Sequence, residues 1–468
     1  MKKIIQMAWR NIWRNRRRTI ITAASIFFAL FFAIIMRSFQ LGTYGHMIHQ
    51  VIESYSGYLQ LQSPDYFDEP GLDNAFEYDQ DLLNRINSNP GVKIAVPRVE
   101  SFALASIGAK TKGVLVNGID VEKEAELSNP QKNLVHYRFL SAVMDAVYAI
   151  PELTEDQKTN LKMYENASFS SLDKIGMNCG ISDETILQKI GELTAFNGSY
   201  LQASDEGVLV SDRLSKFMQL NIGDTLVLMG TGYHGASAAG LFPVRGIIKI
   251  PSPELDNKLV YMSLPRAQEF FGMENMLTTL AINLNDKSTM SEVQQELTNQ
   301  LDKNAYVVKN WQEFNPVLKQ SIEGDNAGGI VFAAILYVIV FFGIFGTVLM
   351  MIAERKREFG VLIAIGMKKR LLMSIVLIEM FFIGTLGTVV GMLIVSPLIY
   401  LGNKFPIRLT GETAKMYEDM GYEAVMPMAT FDAYFWWQAM IVLLMVVVAS
   451  YFPLKSIRKL KVIKALRA

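Results

Sequence analysis

Four long apolar stretches dominate this sequence, and their length restricts its fold more than any other feature. The clearest of them, residues 328–352, contains no charged residue. At a rise of about 1.5 Å per residue, a helix over that stretch is long enough to cross a hydrocarbon core of about 30 Å. Comparably apolar runs occupy 19–42, 371–400 and 432–453. The sequence therefore predicts four membrane-spanning helices.

The first apolar run has a second interpretation as a cleaved secretory signal peptide, because basic residues precede it. It is long for such a signal, and residues 37–45 lack a convincing small-x-small cleavage site. We therefore expect it to remain in the protein as an uncleaved first span.

The distribution of charge predicts the topology. The formal net charge is zero, but basic residues are concentrated in three segments next to the predicted spans, 1–18, 353–370 and 454–468, in which only Glu354 and Glu358 are acidic. These basic residues are Lys2, Lys3, Arg10, Arg14, Arg16, Arg17 and Arg18; Arg355, Lys356, Arg357, Lys368, Lys369 and Arg370; and Lys455, Arg458, Lys459, Lys461, Lys464 and Arg467. Because positively charged loops stay in the cytoplasm, both termini and the 353–370 loop are predicted to be cytoplasmic. The protein is then a multi-pass membrane protein, with 43–325 and the short loop 401–431 outside the cytoplasm.

The predicted external segment, 43–325, is long enough to bury a core of its own. A strand-helix-strand piece is predicted at each end of this segment. The two pieces can share one sheet if the stretch between them, about 120–275, is an insertion. The predicted strands of the end pieces are 57–62, 92–107, 114–118, 278–284 and 305–309, with helices at 78–87, 290–301 and from Trp311. The insertion is predicted to be helical from about 130 to 191, with strands at 207–210, 225–229, 244–249 and 259–262. We predict an α+β domain whose porter-like part carries an inserted, mostly β subdomain.

No motif in the sequence predicts catalysis, a cofactor or a metal site. Gly230, Gly232 and Gly235 fit a dinucleotide-binding pattern, but the Gly/Pro-broken residues that follow cannot form the required helix, so we expect a flexible hairpin loop. No P-loop sequence occurs. The single cysteine permits no intramolecular disulfide, and His46 and His49 lack a third ligand nearby. The chain is therefore expected to be a non-catalytic subunit.

Several polar, charged or small residues lie within or next to the predicted spans, and each predicts a specific structural role. Residues 1–18 have the helical spacing of a helix lying in the membrane interface, although they could also extend the first span. Glu379 lies within the third predicted span and Arg37 at the outer end of the first; we expect a structural role for Glu379 and snorkelling for Arg37. The stripe of Gly384, Gly387 and Gly391 predicts close helix packing, either within the bundle or across a dimer.

Three local patterns resemble a known family. They are Ala8-Trp9-Arg10-Asn11 with Arg16-Arg17-Arg18; 354–366 followed by Glu379; and Tyr451 to Ser456 closing with Lys464 to Arg467. With the predicted topology, they make the chain similar to the FtsX-like permeases of ABC transporters. Residues 242–248 and 254–264 resemble the lipoprotein-releasing LolC/LolE type more than the related MacB type, and no ATPase domain is fused to the chain.

The resemblance implies a mechanical function. Two permease protomers, identical or different, would assemble with a separate cytoplasmic ATPase, which binds the ATP and pushes on a coupling helix. The residues that correspond to this helix are Glu354, Arg355, Arg357, Glu358, Gly360, Ala364 and Gly366. The implied cargo is a lipoprotein, taken from membrane lipid and handed to a periplasmic carrier. MacB-like efflux and FtsX-like activation of a cell-wall hydrolase remain as alternatives, and an ordinary basic loop that enforces topology remains the simpler explanation of the 353–370 segment.

Overall fold

The structure is a computed structural model of the 468-residue chain, and it describes residues 2–14, 16–419 and 424–458. The predicted tail residues Lys459, Lys461, Lys464 and Arg467 lie outside the described residues. The chain divides into two compact units. We call residues 1–45, 320–407 and 426–468 the span unit, and residues 46–319 and 408–425 the sheet unit.

In chain order, the α-helices of the described residues are α1 Lys2–Arg14, α2 Arg16–Ile48, α3 Gln80–Asn87, α4 Val121–Leu127, α5 Ser141–Tyr148, α6 Glu155–Met163, α7 Leu172–Cys179, α8 Glu184–Thr194, α9 Asp212–Met218, α10 Pro253–Asp256, α11 Leu264–Phe271, α12 Met290–Gln300, α13 Trp311–Phe314, α14 Pro316–Glu354, α15 Lys356–Ala364, α16 Lys369–Lys404, α17 Gly411–Asp419 and α18 Ala433–Arg458.

The strands are β1 Leu59–Gln62, β2 Phe76–Glu77, β3 Val92–Ile107, β4 Lys110–Ile119, β5 Tyr137–Arg138, β6 Ser168–Phe169, β7 Val208–Ser211, β8 Thr225–Thr231, β9 Ser237–Ile248, β10 Leu259–Ser263, β11 Met276–Leu277, β12 Thr279–Leu284, β13 Val307–Asn310, β14 Ile407–Arg408 and β15 Val425–Met426.

Four helices of the described residues are long and apolar enough to cross a membrane, so the predicted four-span class is confirmed. They cover Thr19–Glu53, Pro316–Glu354, Lys369–Lys404 and Ala433–Lys455. The first helix continues past the predicted end at residue 42: α2 runs to Ile48, and a π-helical segment, His49–Ser56, extends it further. It ends at Gly57, whose φ of 74° favours glycine and whose close approach to the backbone of β12 leaves no room for a side chain.

The glycine stripe of α16 packs within the span unit. A Cβ at Gly387 would lie 2.7 Å from the backbone oxygen of Ala23 in α2, and one at Gly384 would lie 3.1 Å from Val446 in α18. Gly391 faces α2 in the same way. Of the two predicted uses of the stripe, the structure shows packing inside the bundle, where the backbone approach at Gly387 leaves no room for a side chain.

The two end pieces of the sheet unit share one sheet, as predicted. The strand order is β13-β1-β12-β3-β4-β10-β7-β9-β8, so β1 from the first piece lies between β12 and β13 from the last. The structure differs from the prediction in the insertion, whose strands join this same sheet. The long strand β3 explains the difference, because its first half pairs with β12 and its second half with β8. The pairing of β3 with β8 closes β3, β4, β10, β7, β9 and β8 into a barrel.

The helical part of the insertion has a core of its own. We call residues 137–195 the helical insertion; its core is built by α5 to α8 around Phe139, Leu161, Ile175 and Cys179. The 230–235 stretch runs from the end of β8 into the connection, residues 232–236, that joins β8 to β9, and these two strands pair antiparallel along their length. As expected, it is a hairpin connection, because β9 follows where a dinucleotide-binding fold requires a helix.

An ion pair is completely buried beside the barrel. The guanidinium of Arg98 in β3 donates from Nη2 to Oε1 of Glu124 at 2.6 Å and from Nε to Oε2 at 3.1 Å, and neither side chain is exposed. Nη2 also donates to the backbone oxygen of Tyr55 at 2.5 Å. Burial alone would lower the pKa of Arg98, but the Glu124 carboxylate raises the pKa above its usual value. Burial also raises the pKa of Glu100, which lies 3.7 Å from Arg98.

Candidate functional site

The charged segment between the second and third spans contains a break that the sequence did not predict. A continuous helix was expected over 354–366, whereas α14 ends at Glu354 and α15 begins at Lys356. Arg355 has φ −93° and ψ 10°, outside the helical region. After α15 the backbone turns at Gly366, whose φ of 105° is strained for any residue with a side chain.

Arg355 is directed into the bundle and holds Glu379 of α16. Its Nη1 donates to Oε2 of Glu379 at 2.9 Å and to Oε1 at 3.2 Å. The side chains are 13% and 6% exposed, respectively. A buried carboxylate is tolerated only when it is paired, so Glu379 depends on Arg355. The structure gives Glu379 this arginine as its partner.

Glu358 extends this pair to the N-terminal helix. It accepts from Nη2 of Arg14 at 2.5 Å and from Nε of Arg355 at 3.3 Å. Arg14, Glu358, Arg355 and Glu379 thus alternate in charge, and we call these four residues the charge chain. The Arg14 end is largely exposed, where an ion pair contributes little, and the Glu379 end is buried, where the loss of a partner is costly.

A small polar cavity lies beside the charge chain. Its volume is about 120 Å³, and its lining includes all four residues of the chain together with Asn11 and three threonines, Thr19, Thr22 and Thr347. The rest of its lining is apolar, from Met351, Met380 and Ile383.

The predicted coupling residues separate into two groups. Arg355 and Glu358 belong to the charge chain, and Gly360 is buried with Phe359. The predicted residues outside the charge chain that are exposed are Glu354, Arg357, Ala364 and Gly366. The segment also carries exposed apolar side chains, since Ile365 is 79% and Val361 42% exposed, whereas Leu362 packs against the core of the span unit. The sequence alone could not separate these groups, because it does not show which way α15 faces.

Arg14 is a site residue that sequence reasoning missed in this role. Its helix, α1, packs against α16, where the rings of Trp9 and Phe382 meet edge to face at 5.8 Å between centroids. Thr19 in α2 donates to the backbone oxygen of Ile12 in α1 at 2.9 Å. The only sequence signal for the position of Arg14 was the apolar spacing of its helix, which predicts a buried face but not an ion pair.

At the other end of the first span, Arg37 hydrogen-bonds across to α14. It donates from Nη1 to Gln40 Oε1 at 2.7 Å and to Asn326 Oδ1 at 2.6 Å. Tyr44 donates to Oδ2 of Asp325 at 2.5 Å. The structure thus gives Arg37 polar partners within the bundle, where the sequence predicted a side chain that snorkels.

Among the described residues no group of three or more His, Cys, Asp or Glu is placed to hold a metal ion. His49 lies 2.9 Å from the carboxylate of Glu53, one helical turn away.

The chain is similar to known permeases, and one family model matches part of its second half. Residues 330–462 match the family model described as FtsX-like permease C-terminal. An uncharacterized ABC transporter permease of Methanocaldococcus jannaschii is 24% identical over 48% of this chain and 55% of its own length. The ABC transporter permease YtrF of Bacillus subtilis is 24% identical over 58% of this chain and 63% of its own length.

A third relative is the lipoprotein-releasing system transmembrane protein LolC of Neisseria meningitidis serogroup B, 20% identical over 45% of this chain and 58% of its own length. The matches therefore span between 55% and 63% of the length of these relatives.

Two solved structures are similar to part of the chain. The extracellular domain of the noncanonic ABC-type transporter YknZ from Gram-positive bacteria is 12% identical, with a TM-score of 0.29, over 54% of this chain and 99% of that domain. The periplasmic region of MacB from Actinobacillus actinomycetemcomitans is 13% identical, with a TM-score of 0.30, over 59% of this chain and 95% of that region.

Proposed function

We propose, from the premise that residues 330–462 form an FtsX-like permease C-terminal domain, that this chain is the permease subunit of an ABC transporter. In this proposal a second permease protomer and a separate cytoplasmic ATPase complete the transporter. The ATPase binds and hydrolyses ATP, and the permease converts the movement of the ATPase into movement of its spans and of the sheet unit. Both termini and α15 then lie in the cytoplasm.

The charge chain is the observation that carries this proposal. A force on α15 would reach α16 through Arg355 and Glu379, and α1 through Glu358 and Arg14, because both pairs are in direct contact. Exposed Val361 and Ile365 supply an apolar surface on the same short helix. An ordinary basic loop that only enforces topology requires neither the buried pair nor the exposed apolar side chains.

Substitution of the exposed face of α15 tests the coupling role. The double variant Val361→Asp/Ile365→Asp should reduce co-purification of the ATPase at least about tenfold, because charged groups replace the apolar surface that the ATPase would cover. The measurement is the ratio of ATPase to permease after purification from membranes. Leu241→Asp is the matched control, since Leu241 is exposed on the sheet unit. Equal ATPase recovery in the double variant and the control would refute the docking assignment.

We further propose that the cargo is a lipoprotein, released from the inner membrane to a periplasmic carrier. The support is the resemblance of residues 242–248 and 254–264 to the LolC/LolE type, together with the similarity to the Neisseria meningitidis LolC. Depletion of the chain should cause mature lipoproteins to accumulate in the inner-membrane fraction, measured after fractionation. An unchanged lipoprotein distribution would exclude this cargo, and efflux of small molecules would then become the leading alternative.

A further inference from the structure

The loop between the third and fourth spans is fixed at its base to the span unit. Residues 427–429 lie against α2 and the end of α16: the backbone N–H of Ala429 donates to the Ser38 backbone oxygen of α2 at 2.9 Å, and the Ser38 hydroxyl donates back to the Ala429 oxygen at 3.0 Å. Asn403 of α16 donates from Nδ2 to the Met428 oxygen at 2.7 Å. A Cβ at Gly42 would lie only 2.1 Å from the Pro427 oxygen, so the fit requires glycine there.

The outer part of the same loop belongs to the sheet unit. Strands β14 and β15 pair with each other, and beyond them the Leu409 N–H donates to the Ala424 oxygen at 2.8 Å. Between them, α17 packs against α6 of the helical insertion, and Ala414 of α17 is only 1% exposed. The loop therefore has a fixed base, a paired stem and a docked tip, which is not the organisation of a simple connection between two spans.

The helix that receives α17 is tied to the core of the helical insertion. Asn160 of α6 donates from Nδ2 to the backbone oxygen of Cys179 at 3.3 Å, and Gln157 donates from Nε2 to the Gly180 oxygen at 3.1 Å. A displacement of α6 would thus disturb the residues around Cys179, which is itself fully buried.

We propose that residues 408–419, 424 and 425 belong to an arm through which the third and fourth spans hold the helical insertion. The arm adds a connection to the two places where the chain passes from one unit to the other, between residues 45 and 46 and between 319 and 320. The first of these two places follows the first span, and the second precedes the second span. The arm gives the third and fourth spans a separate connection, which ends on α6 of the helical insertion.

The single cysteine of the chain provides the test, because Cys179 reacts with a maleimide only when the helical insertion opens. In the full-length protein in nanodiscs, Ala414→Arg should accelerate modification of Cys179 about fivefold or more, since the buried alanine has no room for an arginine. Replacement of residues 411–419 by a Gly/Ser segment of equal length should do the same without introducing a charge. Lys415→Ala, at an exposed position of the same helix, should leave the rate unchanged.

The base of the arm is tested separately with a pair of glycines in α2. Gly42→Ala should raise the Cys179 modification rate about twofold by displacing residues 427–429, whereas Gly45→Ala should not, because a Cβ at Gly45 meets no atom within 4 Å. Wild-type rates in both tip variants would overturn the docking of α17 on α6. Faster modification in the tip variants but not in Gly42→Ala would overturn the anchoring to the spans. Neither result depends on the ATPase, so failure of the proposed function leaves this test intact.

Discussion

Arg355→Ala is expected to lower the free energy of unfolding of the span unit by about 3–5 kcal/mol, because it leaves the Glu379 carboxylate buried without its partner. The effect should be measured by denaturation in mixed micelles. Arg357→Ala removes the same charge two residues away from an exposed position, so it should leave the stability nearly unchanged. The difference between the two variants then reports the ion pair and not the net charge of the segment.

A second substitution separates the cost of an unpaired charge from the value of the pair. Arg355→Met/Glu379→Leu removes both charges and keeps apolar volume at each position, and it should recover most of the lost stability. If the charge chain also transmits force, this double variant should remain stable and bind the ATPase but lose ATP-driven transport. A stable double variant with normal transport would show that the pair serves only the fold.

Much of the fold follows from local patterns in the sequence. Long uncharged runs predict the spans because a bilayer core admits few other structures. Alternating or continuous apolar residues predict strands, and β3 was predicted at 92–107 with the bounds that the structure gives it. The prediction of a shared sheet rested on the strand-helix-strand order that both end pieces have. These features depend on neighbours in sequence, which a single sequence displays.

The remaining features depend on contacts between residues far apart in the chain. Glu379 was recognisable as unusual, but its partner Arg355 is determined by the break between α14 and α15. The arm was predicted only as a short external loop, because nothing in residues 411–419 indicates that they pack against α6. Barrel closure likewise depends on β3 pairing with β8, more than a hundred residues later. Such pairings require three-dimensional information that periodicity does not contain.

The buried pair in the sheet unit should be as sensitive as the one in the span unit. Glu124→Ala is expected to lower the free energy of unfolding by about 3–5 kcal/mol, because the Arg98 guanidinium is fully buried and would lose both of its short carboxylate contacts. The Ser128 hydroxyl, which also donates to Glu124, would lose its acceptor as well. Hydrogen exchange of the β3 and β4 amides at increasing denaturant concentration measures the loss.

Glu100→Gln is the matched control for this prediction. Glu100 lies 3.7 Å from Arg98, beyond the distance of a short ion pair, and burial raises its pKa, which disfavours its charged form. Its neutralisation should therefore cost far less than the loss of Glu124. Equal losses in the two variants would mean that Arg98 is held by both carboxylates together. A larger loss for Glu124→Ala would identify the pair with α4 as the contact that fixes β3 at the point where the sheet passes into the barrel.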